Sequence, residues 1–249
     1  HIGQHPIYAS IFLALSIIFF VYLLKQKLFK NYKDKLLFLT LTFINLVFLL
    51  FLSSKGAILA LFFIMFFLFI FETTKKIYKY LLIATFVCSL ITLFIYNRRM
   101  NELIKTQTYQ TFNPHLSTSI RLGIYHCSWE IIKKQLFMGY GIGYAQRELN
   151  LCYANKSDIL LMHRFNSHNQ YLDVAIKTGL IGLFVFLAFL GINFILAIKT
   201  KNQLLIMILV LYCMLFLVEN VLSRQSGVIL FFFLICFFNN PNKRLINER

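Results

Sequence analysis

The residue whose type and setting best suit chemistry is His168, within RFNSHNQYLDVAIKTGLIGL at 164–183. Ser167 and Gln170 form an S-x-x-Q capping pattern. This pattern predicts a helix that begins at His168, continues to Lys177 and ends at the following Thr-Gly pair. The sequence therefore predicts a histidine in the first turn of a helix.

Two roles are open to His168 in that position. The positive end of the helix dipole disfavours a second positive charge, which would leave a neutral imidazole able to act as a base. The same helix end, with Arg164 one turn away, also suits an anion such as phosphate. The alternative is that His168 and Asn169 simply extend the helix cap, and the residues alone do not separate these interpretations.

A second chemical candidate is Arg121, which follows helix-capping residue types at 117–119. Apolar residues recur from there with helical spacing, at Ile120, Ile124, Cys127 and Ile131. An adjacent stripe of the same predicted helix carries Arg121, Tyr125 and Ser128. Arg121 can therefore project beside the apolar face, although a solvated cation is the more ordinary interpretation.

Two further features belong to this set of candidates. The segment MGYGIGY (138–144) alternates Gly139, Gly141 and Gly143, a spacing that allows tight turns or a close approach of backbone to a ligand. Ionisable residues also stand at the ends of apolar runs, namely Lys55, Glu219 and Arg224. Such residues are either interfacial anchors or the rim of a site that faces one leaflet.

The elements that must position these residues are membrane helices, because 59% of the residues are hydrophobic and only 14% are charged. Apolar runs that we interpret as spans lie at about 7–24, 36–52, 57–71, 80–96, 180–198, 204–222 and 227–238. The third and the last are short, and they become long enough to cross if their polar flanks lie in the headgroup layer. We therefore expect an all-α integral membrane protein with about seven transmembrane helices.

Basic residues predict the orientation of these spans. The loops 25–35, 72–79 and 199–203 and the tail 239–249 hold 13 of the 25 Lys and Arg residues, which makes them cytoplasmic by the positive-inside rule. The N-terminus is then outside. Because topology accounts for this excess within the net charge of +16, nucleic acid is not expected as a partner.

The domain organisation follows from this topology. We expect four spans in 1–96, a large and partly helical periplasmic loop that carries the site in 97–179, three spans in 180–238 and a cytoplasmic tail in 239–249. The loop has a net charge of +5, and an anionic ligand would explain it. Long translocated loops escape the charge rule, so this charge does not contradict the orientation.

Other sequence features are less informative. The chain begins with His and has no signal peptide, so we expect a fragment that lacks earlier spans. Cys127 and Cys152 share the outer loop and could pair in an oxidising compartment, but two thiols give no framework. We find no cluster of metal ligands in the sequence, and we expect neither a metal nor another cofactor.

With these residues in place, the chain resembles the O-antigen ligase and O-antigen polymerase superfamily of bacterial multi-span enzymes. The likeness is carried by GQHPIYAS (3–10), SSKGA (53–57), Arg121 followed by Trp129 and GYGIGY (139–144), and HNQYLDVAIKTGLIG (168–182). The last segment is the most specific. Together these segments run through nearly the whole chain.

The resemblance implies a glycosyltransferase of the bacterial inner membrane whose active loop faces the periplasm. It would transfer a glycan from an undecaprenyl-diphosphate-linked donor to a hydroxyl on lipid A-core or on a growing glycan, with inversion and without a metal. By position, His168 would be the general base and Arg121 a diphosphate ligand. Lys55 stands where the family has arginine, and Arg164 and Arg224 are further diphosphate-binding candidates. The other candidates are Asn169, Tyr125, Gly141, Gly143 and Glu219.

Several functional alternatives stay open at this point. Ligation, polymerisation of repeat units and protein O-glycosylation are not separable from the sequence. A transporter or flippase of the same lipid-linked glycans would use the basic loop only as a binding surface. An inactive, truncated product is a third possibility.

Overall fold

The computed structural model describes residues 6–26, 31–52, 55–72 and 117–239. Within these ranges the regular structure is helical and no strand occurs. The helices are α1 (Pro6–Lys25), α2 (Tyr32–Phe51), α3 (Lys55–Glu72), α4 (Ser117–Lys134), α5 (Gly141–Ala154), α6 (Asp158–His163), α7 (Gln170–Lys199), α8 (Gln203–Phe216), a 3-10 turn (Val221–Ser223) and α9 (Gln225–Phe238). The expectation of an all-α fold is confirmed over the described residues.

Two helical segments are long and apolar enough to cross a membrane, Ile7–Leu24 and Gln170–Lys199. Shorter apolar helical segments are Gly56–Phe66, Gln203–Phe216 and Gln225–Phe238. The expected span at 80–96 lies outside the described residues. The number of seven spans therefore stays a prediction.

The described residues group into two compact units. The first comprises those within His1–Met65, Ala188–Leu215 and Val221–Arg249. In this unit the Tyr8 hydroxyl donates to the Val221 carbonyl at 3.0 Å, and Asn45 Nδ2 donates to Ser16 Oγ at 3.0 Å. These bonds satisfy polar groups that lie among apolar helices.

The second unit comprises the described residues within Phe66–Leu187 and Phe216–Asn220. Its core consists of buried residues of α4 to α7, namely Ile124, Cys127, Ile131, Ile132, Ala145, Leu149, Tyr153, Leu160, Ala175 and Ile176. The predicted apolar stripe of α4 is confirmed, because Ile124, Cys127 and Ile131 are buried and Ile120 packs against the same core.

A disulfide joins α4 to α5 inside the second unit. It links Cys127 to Cys152, whose Cα atoms lie 5.7 Å apart. The sequence did not decide whether these two cysteines pair, and the structure contains the bond between them. The bond fastens the α4 helix, which carries Arg121, to the helix that follows the glycine-rich turn.

The helical backbone of α7 is interrupted at Gly179, which has a φ of 67° and a ψ of −167°. The predicted interruption at this glycine is confirmed, and the helix resumes at Leu180. The turn before α5 fits into the break, because Leu180 N donates to the Leu136 carbonyl at 2.8 Å and Tyr140 N donates to the Ile176 carbonyl at 2.9 Å. A Cβ on Gly179 would lie 2.0 Å from the Phe137 carbonyl oxygen, so only glycine fits there.

Candidate functional site

The site begins with the loop that precedes α7. The helix starts at Gln170, and its cap is Asn169, whose Oδ1 accepts from the backbone N–H groups of Tyr171 and Leu172 at 2.9 and 3.1 Å. His168 stands before the cap with a positive φ of 45°. The prediction that the helix begins at His168 was wrong, because asparagine caps this end in place of serine.

Ser167 is thereby free to bind another part of the chain. It is fully buried, and Asn220 Nδ2 donates to its hydroxyl oxygen at 2.9 Å. Close by, Asn169 Nδ2 donates to the Leu217 carbonyl at 3.1 Å. The loop at 167–169 is therefore held by polar bonds against the segment that follows α8.

That segment brings Glu219 to the site. The apolar run predicted as a span at 204–222 is helical only to Phe216, where α8 ends, and irregular chain follows. The α-helix therefore ends six residues before the end of the apolar run, and the extent of the span stays a prediction. Because the chain leaves the helix early, Glu219 does not extend from a helix end but stands between two side chains of the second unit.

The carboxylate of Glu219 contacts both leading candidates. One oxygen lies 3.3 Å from His168 Nδ1 and the other lies 3.5 Å from Arg121 Nη2. The Glu219 and His168 side chains are 20% and 25% exposed, whereas that of Arg121 is 41% exposed. The pair of His168 and Glu219 is thus partly shielded from solvent, while the guanidinium remains accessible to an anion.

Tyr125 lies one turn after Arg121 and contacts the same loops. Its hydroxyl is 3.4 Å from the His168 carbonyl oxygen and 3.4 Å from the Leu217 carbonyl oxygen, so a single proton serves two acceptors. Burial raises the pKa of the Tyr125 phenol; the Arg121 charge opposes this shift and the Glu219 charge adds to it. Tyr125 therefore remains a proton donor at neutral pH.

This arrangement has a definite chemical capacity. A carboxylate that accepts a hydrogen bond from Nδ1–H of an imidazole favours the tautomer in which Nε2 carries a lone pair. Nε2 of His168 can then accept a proton from a hydroxyl. The Arg121 guanidinium, which contacts the same Glu219 carboxylate, is accessible and can bind an anion through paired N–H donors.

The remaining predicted diphosphate ligands are Arg164, Arg224 and Lys55. Arg164 caps α6 with left-handed backbone and an exposed side chain. Arg224 is the N-cap residue of α9 and belongs to the first unit. Lys55 begins α3, but its side chain lies outside the described residues. The assignment of these three residues to a site stays a prediction.

The glycines of the 138–144 segment divide into two kinds. Gly141 and Gly143 begin α5, and a Cβ on either would meet no atom within 4 Å. Gly139 has a φ of 65°, and a Cβ there would lie 2.5 Å from the backbone nitrogen of Gly179. Gly139 is therefore the glycine of this segment at which the backbone lies close to the backbone of α7.

The sequence did not predict the long-range hydrogen bond between Ser167 and Asn220 that holds the loop. The signal that could have found them is the pair Glu219-Asn220, two polar residues in succession at the end of an apolar run. Polar pairs at such a place need hydrogen-bond partners when they are buried.

Residue types that bind metals also come together at the disulfide. Cys127, Glu130 and Cys152 are the group of this kind among the described residues. Both sulfurs are consumed by the disulfide, so neither is a thiolate that could ligate an ion.

Comparison with protein families gives one match, to a family described as O-antigen ligase, over residues 38–187. The matched region covers more than half of the 249 residues and includes Arg121, His168 and the break at Gly179. Glu219 lies beyond its end. Comparison with curated proteins gives no match.

Proposed function

Because the chain belongs to the O-antigen ligase family of bacterial membrane glycosyltransferases, we propose that it moves a glycan from an undecaprenyl-diphosphate donor to an acceptor hydroxyl. The family implies substrates of two kinds, a lipid-linked glycan and a glycan acceptor. The identity of the donor lipid and the roles of individual residues are our proposals.

The observation that supports the proposal is that the carboxylate of Glu219 contacts both the imidazole of His168, our proposed base, and the guanidinium of Arg121, our proposed diphosphate-binding group. Glycan transfer requires both functions within one substrate length. His168 lies in the loop before α7 and Arg121 lies on α4, and the Glu219 carboxylate contacts them at 3.3 and 3.5 Å. A binding surface for lipid-linked glycans would need the arginine but not the oriented imidazole.

In the proposed step, Nε2 of His168 takes the proton of the acceptor hydroxyl. The acceptor oxygen forms a bond to the anomeric carbon of the donor sugar, while the bond from that carbon to the diphosphate oxygen breaks. The electron pair leaves with the diphosphate, and attack from the opposite face inverts the anomeric centre. Glu219 stabilises the imidazolium that forms, because its negatively charged carboxylate accepts a hydrogen bond from Nδ1–H.

Arg121 would bind the diphosphate. Its guanidinium offers planar N–H donors that match phosphate oxygens and balance the charge that develops on the leaving group. It is the accessible member of the cluster, with a side chain 41% exposed. We propose no contact for Lys55, Arg164 or Arg224.

Tyr125 and Asn169 would position the base. Tyr125 bonds the carbonyl of His168, while Asn169 both caps α7 and bonds the Leu217 carbonyl. These bonds hold the loop with its unusual backbone at His168, which favours a fixed direction for the imidazole. Neither side chain needs to touch substrate for this role.

We propose that the described part of the large loop, residues 117–179, lies on the periplasmic face. The support is the disulfide between Cys127 and Cys152, since such bonds persist in oxidising compartments and are rare in the cytoplasm. The donor would then reach the site from the outer leaflet of the inner membrane.

The test is transfer by full-length His168→Ala protein with purified lipid-linked donor. We expect transfer to fall on the order of 10²–10⁴-fold while donor affinity changes little, because a general base acts only in the chemical step. His163→Ala is the matched control, since this exposed histidine lies in the preceding helix and should leave transfer unchanged. Wild-type transfer by the His168 variant would refute the proposal.

The envelope glycans of a deletion strain distinguish the possible reactions. Accumulated donor with a core that lacks long chains indicates a ligase, whereas a core with one repeat unit indicates a polymerase. Absence of transfer in vitro by the wild type, together with donor trapped on the cytoplasmic side of the deletion strain, would indicate a flippase.

A further inference from the structure

Three large, exposed apolar side chains lie at the end of α4 and in the turn after it. Trp129, Phe137 and Met138 are 54%, 65% and 75% exposed. With Lys133 they form what we call the Trp129–Met138 surface. Large apolar side chains that stand together on a protein surface mark a contact with a partner or a membrane.

Three side chains of this surface recur at a regular spacing in the sequence. Trp129, Lys133 and Phe137 are spaced by four residues, which places the first two on one face of α4 and the third just past its end. The ammonium of Lys133 lies 5.7 Å from the centre of the Trp129 ring. Tryptophan and lysine are both enriched where proteins meet lipid headgroups, because each combines an apolar body with a polar end.

The turn is attached to the start of an apolar helix. Ile181 N donates to the Phe137 carbonyl at 3.5 Å, and Leu180 N donates to the Leu136 carbonyl at 2.8 Å. Leu180 and Ile181 are 39% and 54% exposed, and from there α7 continues as apolar chain long enough to cross a membrane. Wherever that helix enters the lipid, the turn is held at the same depth.

The charges favour a negatively charged partner. Lys133 and Lys134 end α4, and no acidic residue occurs between residues 131 and 147. Anionic phospholipids present phosphates at the depth where the α7 helix enters the bilayer. A second copy of this chain would instead bring together two surfaces of the same sign.

We propose that the Trp129–Met138 surface lies in the headgroup layer of an anionic bilayer, with Phe137 and Met138 inserted and Lys133 and Lys134 on the phosphates. This contact would hold α4, and with it Arg121, at the membrane surface. It is independent of the catalytic roles proposed above.

Trp129 is the only tryptophan in the chain, so its fluorescence reports directly on this surface. The full-length protein would be reconstituted in vesicles of phosphatidylglycerol and phosphatidylcholine whose acyl chains carry bromine near the headgroup. We expect severalfold quenching of Trp129, and quenching of the same kind for Phe137→Trp in a Trp129→Phe background. Emission that brominated lipids leave unchanged would overturn the proposal.

Two control variants in the Trp129→Phe background make either result decisive. Phe184→Trp, in the apolar part of α7, should be quenched by bromines deep in the chains, which verifies insertion. Leu151→Trp replaces a side chain on α5 that is as exposed as Trp129 and should be quenched far less. Equal quenching at Leu151 would mean that the lipid contact is not specific to the Trp129–Met138 surface.

The role of charge has its own measurement. With Lys133→Gln and Lys134→Gln combined, the excess quenching in vesicles with phosphatidylglycerol over pure phosphatidylcholine should disappear. High salt should have the same effect on the wild type, because it screens exposed charges. An excess that survives both changes would refute the assignment of these lysines to lipid phosphates.

Discussion

Glu219 Oε2 lies 3.3 Å from Nδ1 of His168, although 51 residues separate them in the chain. The contact depends on the early end of α8 and on the loop bonds of Ser167 and Asn169. Because the carboxylate decides which ring nitrogen carries the proton, Glu219 is as important to the proposed base as the histidine itself.

The first prediction concerns Glu219→Gln. The amide of glutamine can donate to Nδ1, which would leave the proton on Nε2 and prevent that nitrogen from accepting one. We expect the turnover number for glycan transfer to fall by about 10²–10⁴-fold, with a small change in the KM for the acceptor. Steady-state kinetics with purified donor measure both.

The matched control for this variant is Glu130→Gln. Glu130 also pairs with a histidine, His126, at 3.2 Å, but the side chains are 46% and 60% exposed and lie in no proposed site. Loss of activity in the Glu130 variant of the same size as in the Glu219 variant would contradict the assignment of a special role to Glu219.

The second prediction concerns Arg121 and the donor. A hydrogen bond to a charged group contributes about 1.5–3 kcal/mol, so Arg121→Ala should weaken donor binding by about 10- to 100-fold. Arg121→Lys should recover part of this affinity, because it keeps the charge but not the planar fork. Binding of labelled lipid-linked donor to detergent-solubilised protein is the measurement.

Arg147 offers the control for general basicity. It is an exposed arginine of α5 in the same unit. Arg147→Ala removes one positive charge, as Arg121→Ala does, but at a position outside the proposed site. Equal loss of affinity in the two alanine variants would show that net charge, and not a specific diphosphate ligand, determines donor binding.

Local features of this structure could be predicted from the sequence. Apolar spacing placed one face of α4 in the core, and the Thr-Gly pair at 178–179 predicted the interruption of α7. Such features depend on neighbours within a few residues of the chain. For the same reason, His168 and Arg121 could be selected as candidates from residue type and motif.

The relations between these candidates could not be predicted. Whether Ser167 or Asn169 caps α7 depends on a tertiary partner, since Asn220 binds the serine and leaves the asparagine to the helix. Glu219 looked like an interfacial residue because hydropathy extends the apolar run past Phe216, where the helix ends. Periodicity contains no information on such long-range bonds.

The third prediction concerns the titration of Tyr125. Burial raises the pKa of its phenol above the ordinary value of 10.0, and Glu219 raises it further while Arg121 lowers it. Glu219→Gln should therefore lower this pKa, and Arg121→Gln should raise it. Phenolate absorbance, compared with and without Tyr125→Phe in each background, isolates this one residue.

The same shift has a consequence for stability. Since the folded pKa is raised, the contribution of Tyr125 to stability is complete below pH 10 and is lost as the pH rises through the folded pKa. Tyr125→Phe should flatten the alkaline decline in unfolding temperature. An identical decline in both proteins would show that Tyr125 is not buried at this site.

The fourth prediction concerns the disulfide. It closes a separation of 25 residues, for which loop entropy gives about 3 kcal/mol of stabilisation. The double variant Cys127→Ala and Cys152→Ala should unfold at a lower temperature than the oxidised wild type. Reductant should lower the wild type to a similar temperature and leave the variant unchanged; a wild type indifferent to reductant would mean that the bond is not formed.

The last prediction uses two glycines of the same unit. Gly179 has a φ of 67°, and a Cβ there would lie 2.0 Å from the Phe137 carbonyl oxygen, so Gly179→Ala must separate the turn from α7. We expect a loss of stability of about 1–3 kcal/mol from the strained backbone, with more from the displaced turn. Gly143→Ala is the control, because α5 is helical there and its Cβ would meet open space. That change should be neutral or stabilising by up to about 1 kcal/mol. Thermal unfolding of both variants measures the difference, and similar stabilities would show that the turn does not pack into the break.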